Sequence, residues 1–481
     1  MNAMHVALIR NATSALAILF ALTPLLVPAA HASEPTLLVD VSRKLEFVRE
    51  LGDAGDGLAG AAWLDFDNDG FLDLFVPNVA GHPNALFHNN RDGTFANVAS
   101  SAGVANGTGN TGAIAGDINN DSWADLFLTY AGSDSQDSHT KLYLNKGDGT
   151  FADITESSGV VGERSSFSPA FADINNDGFL DVFITSIGTA PGLPTSRQFK
   201  NTLYLSNGDL TFKDISASSG VDTALGACAT TFGHYDDDQF IDLFVGNCND
   251  VGERPTPLEL FHNNGDLTFA DVRRMAGTSA GGFWEGLTMG DYDNDGDLDL
   301  FVTNFGAGPY QHALYENQGD GTYRNQAANA RLTGLGIGWG TSFADFDNDG
   351  FQDLFLAGSL PIAGFDVIGP GKGNPGYLLM NNRDKTFRKE ATFGLGSKFT
   401  SGVAVGDFDN NGFPDVLVVT SKFTRDGFDP DGRPVLLQNS GNGNHWLTIK
   451  TVGTRSNRDG IGARVMSPSV EQRALDMTLA G

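Results

Sequence analysis

Only two cysteines occur in 481 residues, Cys228 and Cys248. That is too few for a disulfide framework, and no CxxC or Cys/His spacing would hold zinc or haem. Basic residues are also scarce: 30 Lys and Arg stand against 59 Asp and Glu, for a net charge of −29. Such a chain repels nucleic acid and anionic lipid, which argues against both as direct partners. Beyond residue 27 no apolar run approaches the ~20 residues of a spanning helix, so no transmembrane segment is expected. No Walker loop, HExxH or dinucleotide fingerprint is present. Glycine, by contrast, is plentiful. Its 61 residues are about 13% of the chain, nearly twice the usual ~7%, and predict many turns and short strands.

The first 32 residues read as a secretory signal. Arg10 precedes an apolar run over 15–27, and a small-x-small exit ends at Ala32. The run is too short to anchor the chain, and no Cys follows for lipid attachment, so the mature chain is expected outside the cytoplasm, in the periplasm or secreted.

Self-comparison exposes a period of about 57 residues. Seven segments share one plan: DFDNDGFLD at 65–73, DINNDSWAD at 117–125, DINNDGFLD at 173–181, HYDDDQFID at 234–242, DYDNDGDLD at 291–299, DFDNDGFQD at 345–353 and DFDNNGFPD at 407–415. A second element alternates with them, clearest as LYLNKGDGTFADI at 142–154 and repeated at 86–98, 203–215, 260–272, 314–323 and 378–387. Its turn chemistry is that of a hairpin. Each repeat thus supplies four antiparallel strands, the pattern of a propeller blade. The expected fold is an all-β, seven-bladed propeller over 33–443. The seventh repeat lacks a last strand, and residues 37–42 match the missing piece, so the N-terminal strand is predicted to close the ring.

The acidic turns have the spacing of a cation loop. In D-x-D-x-D-G-x-x-D, carboxylates at positions 1, 3, 5 and 9 surround a tight turn and position 7 offers a carbonyl, which suits the all-oxygen shell of Ca²⁺. The predicted ligands are Asp65, Asp67, Asp69, Phe71 and Asp73 in the first turn, and Asp117, Asn119, Asp121, Trp123 and Asp125 in the second. The third offers Asp173, Asn175, Asp177, Phe179 and Asp181, and the fifth Asp291, Asp293, Asp295, Asp297 and Asp299. Asp345, Asp347, Asp349, Phe351 and Asp353 follow in the sixth, and Asp407, Asp409, Asn411, Phe413 and Asp415 in the seventh. The fourth turn departs, with His234 at position 1 and Gln239 for glycine; Asp236, Asp238 and Asp242 are its candidate ligands. His is a poor Ca²⁺ ligand, so that loop is expected weak or empty. Ser122 replaces the turn glycine of the second loop and predicts strain there. Nothing basic lies within the turns, so about six structural Ca²⁺ ions are expected to offset the carboxylates.

Cys228 and Cys248 flank the fourth turn at opposed strand positions. A disulfide there suits an oxidising compartment, and two buried thiols are the alternative. The GTSAG at 277–281 matches the G-x-S-x-G elbow, but a glycine-rich connector follows it in place of a helix. His88 and His262 share one repeat position, which predicts a role in the blade. The connections 131–140, 188–200, 357–376 and 424–433 all leave the end of the acidic hairpin and should emerge on one face, where loops on a rigid scaffold carry recognition.

The acidic turns with their Phe-Leu-Asp-Leu-Phe-Val continuations resemble FG-GAP/VCBS repeats, the blades of integrin α propellers. NHWLTIKTVGTRSNRDGIGARV at 444–465 resembles the start of an ASPIC/UnbV domain, truncated here, with an atypical tail over 466–481. Together they resemble the cartilage acidic protein family of secreted, acidic, Ca²⁺-binding proteins. The resemblance implies the same Asp and Asn ligands, an incomplete C-terminal β segment over 444–481, and a non-catalytic, adhesion-type module that binds an extracellular protein or glycan. The other reading is an extracytoplasmic enzyme, for instance one acting on polysaccharide, with the propeller as its scaffold. The sequence offers that reading no acid/base pair outside the turns.

Overall fold

The computed structural model describes residues 38–45, 60–130, 140–161, 166–187, 199–248, 255–304, 310–358, 374–421, 432–454 and 456–463. Residues 1–37, where the leader is predicted, most of each long connection and residues 464–481 lie outside the described residues.

Each acidic turn joins two strands and each Asn/Gly/Asp turn joins the next two. In blade 1 the four are Ala62–Leu64, Asp73–Val76, Ala85–Asn89 and Phe95–Asn97, paired antiparallel in that order. Among the described residues there are seven such four-stranded sheets, one to a blade, and one further two-stranded pair. The first strands of the blades pack against one another in cyclic order, and the cycle closes where Phe399–Gly406 meets Ala62–Leu64. Second strands are buried on both faces, which is why they read as unbroken apolar runs. In Asp73–Val76, Phe75 faces the core shared with blade 2, while Leu74 and Val76 face the core shared with blade 7. Helix is confined to short pieces, such as Ala99–Ala102, which ends at left-handed Gly103.

The last blade contains Phe399–Gly406, Asp415–Ser421 and Val435–Asn439, and its fourth strand is Leu38–Asp40 from the N-terminus. Leu38 pairs with Asn439 and Asp40 with Leu437. Val41 N–H then donates to Leu436 O at 2.8 Å, Leu436 N–H donates to Ser42 Oγ at 3.0 Å, and Leu45 is fully buried between blades 7 and 1. The predicted closing strand is therefore in place, and Val435–Asn439 is no longer the edge of the last blade.

Of the expected C-terminal β segment, the described residues show no strand, and residues 464–481 lie outside the described residues. Residues 444–463, where described, carry no strand and run as turns over the acidic-turn end of the propeller. Gly453, Gly460 and Ala463 N–H bond within the segment and Arg458 N–H bonds to Asn120 Oδ1, so these groups join no neighbouring ladder. The G-x-S-x-G match likewise has no elbow: after Gly277, Gly281–Gly282 pairs as a short strand with Thr256–Pro257.

Candidate metal centres at the acidic turns

Position 9 of each turn opens the second strand, and there the aspartate is buried. In all seven blades one oxygen accepts the position-2 N–H and the other accepts an N–H from the end of the third strand. In blade 6, Asp353 Oδ2 accepts Phe346 N–H at 3.1 Å and Oδ1 accepts Asn381 N–H at 2.8 Å. Burial pushes these carboxyls up, to about 7 at Asp73 and Asp242, to about 8 at Asp125, Asp181 and Asp415, and well above the ordinary range at Asp299 and Asp353. Neighbouring carboxylates add to the effect.

Positions 1, 3 and 5 wrap the turn. Asp65 accepts Asp69 N–H at 2.9 Å and Gly70 N–H at 3.0 Å, and Asp69 accepts Phe71 N–H at 2.8 Å. The acceptors converge: carboxylate oxygens of Asp65, Asp67 and Asp69 lie within 4.8 Å of one another, as do those of Asp291, Asp293 and Asp295. Burial also raises the position-1 carboxyls, to about 7 at Asp291 and Asp345 and about 6 at Asp407. At Asp117 burial acts together with the charges of Asp459 and Asp121.

Two left-handed residues make the bend. Position 4 is Asn68, Asn120, Asn176, Asn294, Asn348 or Asn410 at φ 53 to 62°, and position 6 is glycine at φ 87 to 98°, with Ser122 at 78° in the second turn. Ser122 holds a conformation that costs a residue with a Cβ roughly 1 kcal/mol or more. In the fourth turn neither Asp237 nor Gln239 adopts that conformation. His234 there faces Phe240 O at 3.2 Å and accepts none of the turn N–H groups that position 1 takes elsewhere. The fourth loop thus has a different backbone, while Asp236, Asp238 and Asp242 gather around His262, whose Nδ1 is 3.1 Å from Asp242 Oδ1. His88 stands likewise 3.2 Å from Asp73 in blade 1.

The absence of basic residues within the turns does not leave every turn unpaired. Arg91, from the hairpin turn of blade 1, places Nε 2.7 Å and Nη2 2.5 Å from Asp69 Oδ2, and Arg383 places Nε 2.8 Å and Nη2 2.7 Å from Asp349 Oδ2. Both guanidinium groups also lie over the position-7 rings, Phe71 and Phe351, each at 5.7 Å. Lys385 reaches Asp293 at 2.5 Å and Glu316 at 2.8 Å. Among the described residues no Lys, Arg or His nitrogen lies within 4.0 Å of the carboxylates of the second or third turn. A four-carboxylate turn with its arginine therefore matches the charge of a three-carboxylate turn without one. Where glycine replaces the arginine, the position-7 ring packs on it: a Cβ on Gly147 would sit 2.8 Å from Trp123, and one on Gly208 2.7 Å from Phe179.

Two sets of asparagines, absent from the predicted site, tie the turns into a ring. Each position-4 Asn donates to the position-6 carbonyl of the next turn, from Asn68 to Ser122 O at 2.8 Å round to Asn410 to Gly70 O at 2.8 Å. The fourth blade breaks this ring, because the Asp237 carboxylate is no donor. The Asn ending each third strand reaches back instead, as Asn89 does to Phe408 O at 2.7 Å and Asn439 to Phe346 O at 2.8 Å; Ser206 is the exception. The signal was in the repeats, where the same amide recurs at the same place. Replacing Asn348 by Ala removes the 2.8 Å bond to Gly412 O. The unfolding free energy is expected to fall by about 1 kcal/mol, read as a lower urea midpoint with no change in slope.

Cys228 and Cys248 are joined, with Cα atoms 5.7 Å apart, across the strands that flank the fourth turn. A cavity of about 330 Å³ opens between the fourth and fifth turns, lined by Tyr235, Asp236, Asp297, Gly319 and Gly462 among others. The donor set of the regular turns fits a hard divalent cation: it is all oxygen, it converges, and Asp347 Oδ1 is buried with no hydrogen-bond donor.

A seven-bladed propeller with an acidic turn in each blade defines a class, and the comparisons agree. The FG-GAP-like repeat family matches residues 65–128, 123–184, 234–302, 305–356 and 365–418, and the chain belongs to that family. Cartilage acidic protein 1 of Mus musculus is 25% identical over 432 residues, 85% of this chain and 63% of that protein; the Homo sapiens protein is also 25% identical over 432 residues, 85% of this chain and 62% of its own length. The Xenopus tropicalis protein is 27% identical over 264 residues, 50% of this chain and 38% of its own length. The chain spans less than two thirds of the length of these curated relatives. No helix among the described residues is long and apolar enough to cross a membrane.

Proposed function

We propose that the chain is an exported, calcium-stabilised propeller that serves as a non-catalytic module for binding an extracellular protein or glycan, with residues 444–465 an ASPIC/UnbV-like segment. One observation carries the calcium reading: the carboxylates at positions 1, 3 and 5 converge within 4.8 Å in the first and in the fifth turn. When bound, calcium supplies positive charge and oxygen coordination that offset the carboxylate repulsion. Asp65, Asp117, Asp173, Asp291, Asp345 and Asp407 would hold it with the ligands that follow each of them. The position-9 aspartates serve two N–H groups each, which supports a structural use of the raised carboxyls. Similarity to proteins named cartilage acidic protein supports an extracellular setting.

Elemental analysis of the purified mature chain is expected to find about six calcium ions, with the fourth turn contributing none. Chelation is expected to lower the melting temperature. An intact fold with no bound calcium would reject the reading. Arrays of glycans and surface proteins, probed with the calcium-loaded chain, test the binding role.

A further inference from the structure

The C-terminal segment crosses the ring of turns. It leaves blade 7 beside the sixth turn, where Asn442 and Asn444 both donate to Asp347 O, at 2.8 and 2.7 Å. Trp446 then lies on the seventh turn, so close that a Cβ on Gly412 would sit 2.1 Å from its ring. Residues 451–454 and 456–461 fold back on one another. Gly453 N–H donates to Arg458 O, and Asn457 exchanges bonds of 2.8 and 2.9 Å with Ile461. This loop seats on the second turn: Asp459 Oδ2 accepts Asp117 N–H at 2.7 Å and Arg458 N–H donates to Asn120 Oδ1 at 2.8 Å. Ile461 packs into the core shared by blades 2 and 3.

The second turn is the place where a carboxylate from outside would matter. Its own acids are Asp117, Asp121 and Asp125, with an amide at Asn119 and the strained Ser122 in place of glycine. Asp459 raises the carboxylates gathered there to four, the number in the first and sixth turns. Those turns have Arg91 and Arg383 to offset the fourth charge; the second turn has no such cation among the described residues. The loop brings its acid, held at both ends by hydrogen bonds, to a site that is already short of positive charge.

We propose that Asp459 is a calcium ligand of the second turn supplied by the C-terminal segment, so that cation binding there latches the segment across the turn face. This rests on the calcium reading of the turns. Without the cation, four carboxylates repel and the loop lifts; with it, the loop docks and covers that face.

Hydrogen exchange of the full mature chain, read over residues 447–463 by mass spectrometry with and without calcium, tests the latch, alongside elemental analysis of the same samples. The wild type is expected to exchange at least about tenfold more slowly there in calcium. Asp459→Asn keeps an oxygen to accept the Asp117 N–H but loses the charge. It is expected to bind one calcium fewer and to show exchange indifferent to calcium. Asp177→Asn, in the third turn, is expected to leave the response of the segment intact. A wild-type segment indifferent to calcium, in protein with a normal calcium content, overturns the latch alone, as does an Asp459→Asn response equal to that of the wild type. Wild-type protein without calcium overturns the reading of the turns and the latch with it.

Discussion

Stripped of divalent cations, the folded protein is expected to lose stability as the pH rises from about 5 to about 8, by at least about 3 kcal/mol. The cause is the set of carboxyls that burial and neighbouring acids push up, to about 8 at Asp125, Asp181 and Asp415 and about 7 at Asp73, Asp291 and Asp345. Each binds its proton more tightly in the folded chain than in the unfolded one. Between the unfolded value near 4 and the folded value, the native state therefore holds more protons, and stability falls as they leave. The contribution is complete below about pH 4 and gone above about pH 8. Calcium is expected to cancel the loss, because a bound cation favours the ionised form and takes the place of the protons. Thermal melts in metal-depleted buffer at several pH values, repeated in calcium, measure both. A metal-free profile that is flat, or that rises with pH, contradicts the electrostatic account.

A chain that begins at Gly60 is expected to melt at least about 10 °C lower and to self-associate. It lacks the strand Leu38–Asp40, and with it the pairing to Val435–Asn439 that completes the last blade. It also loses the Leu436 N–H bond to Ser42 Oγ and the burial of Leu45 between blades 7 and 1. The strand Val435–Asn439 then becomes an exposed edge, ready to pair with another chain. A milder variant separates packing from closure. Leu45→Ala keeps the strand and is expected to cost about 2–4 kcal/mol without association. Size-exclusion chromatography and melting of both variants distinguish the two effects. Monomeric, wild-type-like behaviour of the shortened chain would show that the ring does not depend on this strand.

The repeats made the blade number, the strand pairs and the closing strand legible, because turn residues and apolar runs recur at fixed spacing along the chain. The spacing of Asp65, Asp67, Asp69 and Asp73 likewise sufficed to expect that their carboxylates meet, since a nine-residue turn brings them together whatever surrounds it. The pairing of Arg91 with Asp69 was not legible: 22 residues separate them, and only the packing of the two hairpins side by side joins them. Asp353 in the sequence is one ligand among five, whereas in the fold it is a buried acceptor for two N–H groups, one in its own turn at Phe346 and one at the end of the third strand at Asn381.

The local pattern thus determined what each blade is, since strand, turn and carboxylate spacing are properties of neighbouring residues. Only the tertiary structure decided how the blades hold one another: the Asn410 bond to Gly70 across the seam, the gap in that ring at Asp237, and the seat of Asp459 on a turn 342 residues away. Those contacts depend on the curvature of the closed ring, which places residues remote in sequence within hydrogen-bond reach; the asparagines recur in the repeats, but their partners are set only by that curvature.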